Sequence, residues 1–99
     1  MVRKGLLVRL EALPGKESEL AGFLEGARSI VMEEPGTIAW FAVQMGPSTF
    51  GVFDVFPDEA ARDAHLAGGV GQALGPNTGV LFSAPSVEKI DVLADKLPQ

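Results

Sequence analysis

The sequence predicts one α+β domain whose elements run β-α-β-β-α-β. Three observations predict it. Four stretches carry apolar residues in strand-like alternation or short apolar runs, at Gly5–Leu13, Thr37–Met45, Thr49–Phe56 and Ser86–Leu93. Between the first two, Leu20, Leu24, Ala27 and Val31 recur at spacings of a helix. After the third, "PDEAARDAHLA" opens like a capped helix. With 99 residues the chain is read as a single domain over 1–99.

The first strand, "GLLVRLEAL", places Leu6, Val8, Leu10 and Ala12 on one face and Leu7, Arg9, Glu11 and Leu13 on the other. "PGKESEL" turns the chain into the first helix, where Glu17 and Glu19 favour the positive end of the helix dipole. Phe23 and Ile30 widen its apolar stripe, and "EEPG" (Glu33–Gly36) ends it. "TIAWFAVQM" and "TFGVFDVF" are separated only by "GPS", which makes them a hairpin. Pro57 ends the third strand, and Asp58 caps a second helix reaching about Leu66 or Ala67. "GGVGQALGPNTG" allows a break, a short helix and another turn. "SVEKIDVL" is the fourth strand. This order is the ferredoxin-like one.

Both faces of the central strands are apolar. Ile38, Trp40 and Ala42 oppose Ala39, Phe41, Val43 and Met45; Phe50, Val52 and Phe56 oppose Phe53 and Val55. Two helices cover one face of an antiparallel sheet, so the other needs a cover as well. A second copy is the simplest one, which predicts a homodimer.

Composition narrows the function classes. Hydrophobic residues at 46% and charged ones at 21% describe a folded globular chain. A net charge of -5 gives no electrostatic reason to bind nucleic acid or an anionic membrane. No apolar run approaches the roughly 18 residues of a membrane span, and Glu11 interrupts the N-terminal apolar run too early for a signal peptide. The expected location is the cytoplasm. Without cysteine there is no thiolate metal site and no thiol nucleophile. One histidine with scattered carboxylates predicts no metal site. "GGVGQALG" follows a helix rather than a strand, so it does not read as a phosphate loop.

"EEPGTIAWFAV", "FGVFDVFPDEAARDAHLAG" and "VEKIDVL" together resemble the antibiotic biosynthesis monooxygenase family over nearly the whole chain. The resemblance implies a ferredoxin-like protomer in a dimeric α+β barrel, with a pocket between sheet and helices. It implies a cofactor-independent monooxygenase acting on a small aromatic substrate of the phenol or quinol type. The haem-degrading branch is resembled least, since Val8, His65 and a residue near Gly75 stand where that branch carries its asparagine, tryptophan and ligating histidine. The family also holds members without known activity, so a non-catalytic dimeric binding or structural protein of the same fold is the alternative.

His65, the sole histidine, is the candidate catalytic residue. Its ordinary pKa of about 6.5 suits a proton acceptor near neutrality; the competing reading is an ordinary helix or domain-edge residue. The alanines around it, Ala60, Ala61, Ala64 and Ala67, leave little bulk between helix and sheet. A pocket of about 300 Å³ or more is expected there, and a His65→Ala change is expected to cost little stability. Trp40, Phe41, Phe53, Asp54 and Phe56 are the candidate substrate-binding residues. The aromatics read first as core, and as a cavity wall second. Asp54 is the odd carboxylate in an apolar strand. A partner such as Arg9 or access to solvent is expected for it, ahead of a role in orienting His65.

Overall fold

The computed structural model describes residues 2–98. The strands are β1 (Lys4–Glu11), β2 (Ala39–Gln44), β3 (Thr49–Phe56) and β4 (Ser86–Asp91). The helices are α1 (Glu17–Val31), α2 (Glu59–Leu66) and α3 (Gly69–Asn77). One antiparallel sheet in the order β2-β3-β1-β4 gives the ferredoxin-like topology, with α3 added before the last strand.

Local chemistry accounts for the element ends. The Asp58 carboxylate accepts a hydrogen bond from the Ala61 amide at 2.8 Å and caps α2. Glu17 and Glu19 occupy the first turn of α1 and Arg28 its last, both favourable to the helix dipole. β3 spans its whole apolar stretch, while β1, β2 and β4 are shorter than theirs. β1 stops at Glu11, whose carboxylate is drawn to the Ser48 and Thr49 hydroxyls. Ala12 continues only as an isolated bridge to Phe82. β4 stops at Asp91, two residues before the end of its alternation at Leu93.

All three helices lie on the face carrying Leu6, Val8, Leu10, Phe50, Val52, Asp54 and Phe56. The main core joins Leu20 and Leu24 of α1 to Val8, Leu10, Phe50 and Val52 of the sheet and to Phe82. Arg62 fastens α2 down. It is buried, and its guanidinium donates to the Gly5 carbonyl at 3.3 Å and the Ile90 carbonyl at 3.2 Å. The opposite face is open. Phe41 is 52% exposed, Val43 and Met45 nearly as much, and Leu7 and Phe53 are half-buried between them.

Candidate functional site: a buried carboxylate–imidazole–carboxylate line

Three elements converge on His65. The register of β2 and β3 sets Trp40 opposite Asp54, and alternation puts both beneath the helices. α2 brings His65 over the sheet, and the turn between α1 and β2 brings Glu34 to its other side. The turn can approach because Gly36 has no Cβ: a methyl there would stand 2.9 Å from that of Ala61. Ala61 lies one helical turn before His65, on the same face.

His65 is 7% exposed and Asp54 1%. Asp54 Oδ2 lies 2.8 Å from His65 Nε2, and Glu34 Oε1 lies 2.5 Å from Nδ1. The Thr37 hydroxyl donates to the same Glu34 oxygen at 2.8 Å and fixes that side chain. The Phe56 ring packs against the imidazole with centroids 5.3 Å apart. The Asp54 contact is close but angled, so it acts as an ion pair rather than an aligned hydrogen bond, and both buried Asp54 oxygens lack an aligned donor.

A neutral imidazole donates through one nitrogen only. Here both nitrogens face carboxylate oxygens, an arrangement that suits an imidazolium. Burial opposes charge on the ring, but the Asp54 and Glu34 carboxylates together outweigh it and hold the His65 pKa above its usual 6.5. The three donors form a line rather than a cage, since each carboxylate takes a different nitrogen. Among the described residues no three such groups converge to hold a metal ion.

Three spaces adjoin this line, one of them a surface hollow of about 220 Å³ bordered by Glu34, Gly36, Ala61 and His65. A cavity of about 40 Å³ lies between the sheet, α2 and α3, walled by Leu6, Val8, Trp40, Val52, Val70 and Leu74, with Asp54 and His65 at its edge. A larger groove of about 450 Å³ runs along the edge strand β2, bordered by Arg28, Glu34, Thr37, Trp40 and Phe41. Trp40 lines both. Its indole Nε1 is buried without a partner, like the Asp54 oxygens.

The sequence candidates divide between the two faces. His65, Asp54, Phe56 and Trp40 come together under α2. Phe41 and Phe53 are cross-strand partners whose alternation sets them on the open face, although Phe41 also reaches the rim of the groove. Asp54 is not paired with Arg9: that guanidinium lies on the open face, 3.9 Å from the Met45 sulfur. Its partner is His65, the role ranked lower from sequence. The enclosed space beside His65 is also well below the 300 Å³ expected. Glu34 is the residue that sequence reasoning missed. Its signal was the "EEPG" turn, which reads as a helix stop and also delivers a carboxylate to α2.

No protein-family model matches the chain. No curated protein matches it. Among solved structures, the NE2512 protein of unknown function from Nitrosomonas europaea is 53% identical, with all of this chain and 97% of that one covered and a TM-score of 0.97. A protein of Caulobacter crescentus, provisionally named an antibiotic biosynthesis monooxygenase, is 21% identical over 94% of this chain and 92% of its own, with a TM-score of 0.77. A provisionally named counterpart from Chloroflexus aurantiacus is 18% identical over 95% and 96%, with a TM-score of 0.73. The chain therefore belongs to one family with NE2512, and its fold is that of the antibiotic biosynthesis monooxygenases.

Proposed function

We propose that the protein is a cofactor-independent monooxygenase of a small phenol or quinol, with Asp54 and His65 as its acid–base pair. One observation carries this reading. The apolar cavity is edged by an unpartnered donor, Trp40 Nε1, and by the Asp54 carboxylate, an acceptor whose ion pair with His65 leaves it without an aligned donor; the two residues stand opposite each other across β2 and β3. A buried polar group left unpaired costs free energy. A hydroxyl, which both donates and accepts, satisfies the two at once.

The chemistry follows from that placement. A phenol hydroxyl donates to Asp54, and the Trp40 N–H supports the charge that develops on its oxygen. The electron-rich phenolate passes an electron to dioxygen, and the two radicals join through a new C–O bond at an open ring carbon. The hydroperoxide then loses the ring proton and breaks its O–O bond. The products are a quinone and water: the ring loses four electrons and dioxygen gains four. An apolar, water-poor wall protects the reactive intermediates. The 450 Å³ groove is of ligand size. Since Trp40 separates it from the cavity, rotation of one side chain joins the two.

The functional unit in this reading is a homodimer in the cytoplasm. The exposed Phe41, Val43 and Met45 with the half-buried Leu7 and Phe53 form the face that a second copy covers. The cavity's small size, about 40 Å³, favours a second reading, a non-catalytic structural dimer whose slot is filled by its own side chains. Oxygen consumption with a panel of quinols and phenols separates the two. The enzyme reading expects turnover that Asp54→Asn lowers by about 10²–10⁴-fold. Absence of turnover across the panel, or an unchanged rate in Asp54→Asn, supports the structural reading.

A further inference from the structure

We infer that Glu34 is the solvent outlet of a proton relay that runs from the cavity through Asp54 and His65. The inference rests on the proposed reading for its catalytic consequence, and on geometry alone for the path. Asp54 is 1% exposed at the cavity edge, and among the described residues its one ion-pair partner is the His65 ring. The ring spans from Asp54 Oδ2 at one nitrogen to Glu34 Oε1 at the other. The Glu34 side chain is 20% exposed. It borders both the 450 Å³ groove and a smaller surface hollow, which Glu33, Gly36, Ala64 and an edge of His65 also line. One end of the line is therefore sealed in apolar surroundings and the other is wet.

Each step conserves protons. A proton taken up at Asp54 cancels that carboxylate's charge, so the imidazolium gives its Nδ1 proton to Glu34, which releases it to water, and the neutral ring keeps its Nε2 proton. When Asp54 hands its proton on to the peroxide and is charged again, Nδ1 recovers a proton from solvent through Glu34 and the imidazolium is restored. The angled Asp54 contact needs only a turn about its terminal torsion, which is a broad one. Other charges near the ring are engaged elsewhere. Arg62 on α2 is committed to the Gly5 and Ile90 carbonyls and to Glu59, Asp63 lies near Lys89, and the exposed Glu33 shares the surface hollow with Glu34. Thr37 holds Glu34 in line and contributes no charge.

The test compares the unsubstituted protein with Glu34→Gln and Glu34→Asp. Gln keeps the size and a hydrogen bond to the ring but accepts no proton. Solvent exchange of the His65 ring protons, followed by ¹⁵N-edited NMR, reads the path without any substrate. The relay requires exchange at least about tenfold slower in Glu34→Gln, with Glu34→Asp intermediate and with small carboxylate buffers accelerating the Gln variant. Equal exchange rates in all three proteins overturn it. With a turned-over quinol, the relay requires kcat of Glu34→Gln to fall and to recover with buffer concentration while KM stays within about twofold. A fall in kcat that no buffer relieves overturns the catalytic role. Lack of turnover in the unsubstituted protein counts against the monooxygenase reading, while the exchange rates still decide the relay.

Discussion

Replacing His65 with alanine removes the cation from between two carboxylates. The consequence is worked from burial. Asp54 is 1% exposed and has no second charged partner, while the Glu34 side chain keeps 20% of its exposure and recovers some solvent. Removing one partner of a buried pair costs about 3–5 kcal/mol, because the remaining charge stays buried. The solvated end at Glu34 argues for the lower bound, about 3 kcal/mol. For a domain near 100 residues that corresponds to a Tm lower by roughly 12–24 °C. The sequence alone suggested little stability cost, since no large apolar group is lost; the two carboxylates change that expectation. The cost also depends on pH. The His65 pKa is raised on folding, so the stability it contributes is full below the unfolded value of about 6.5 and is lost as pH rises through the folded one. Urea unfolding at one fixed protein concentration, at pH 6 and pH 9, measures both. The variant should lose most relative to the unsubstituted protein at pH 6 and less at pH 9. A loss below about 1 kcal/mol at pH 6, or one that grows with pH, refutes the paired-imidazolium account.

Three further outcomes follow from the same packing. Gly36→Ala sets a methyl 2.9 Å from that of Ala61, so the turn or α2 must shift; unfolding should show a loss of about 1–3 kcal/mol, and the His65 ring resonances should move with it. Asp58→Ala removes the cap on the Ala61 amide and should cost about 1 kcal/mol, without altering the ring resonances. Phe41→Asp places a charge on the open apolar face and tests the proposed homodimer: sedimentation should show a dimer for the unsubstituted protein and a monomer for the variant, with the fold retained by circular dichroism.

Local signals were legible in the sequence wherever one element decides them. The stripe Leu20, Leu24, Ala27 and Val31 is the set that α1 buries, and Asp58 caps α2 as its position after Pro57 suggests. Alternation along β3 placed Asp54 with Val52 and Phe56, but it does not say which face lies under α2. That is a matter of layering between elements far apart in sequence. For the same reason Arg9 looked like a partner for Asp54: both are charges in apolar strands, yet they point to opposite faces. Glu34 was the least legible, because a turn carries no periodicity. Its role depends on Gly36 and Ala61, 25 positions apart, being small together. The closing of the slot beside His65 was equally invisible. The α2 alanines suggested a hollow, and helix α3, with Val70 and Leu74, narrows it to about 40 Å³.

The charge state of His65 tests the account most directly. In uniformly ¹⁵N-labelled protein at pH 6.5, long-range ¹H–¹⁵N correlation from the ring carbon protons reports both imidazole nitrogens. An imidazolium clamped between Asp54 and Glu34 shows a proton on Nδ1 and on Nε2 together, and loses this state only above pH 6.5. A ring that is mostly neutral at pH 6.5, with one nitrogen bare, contradicts the buried ion line and removes the basis for both the acid–base pair and its outlet at Glu34.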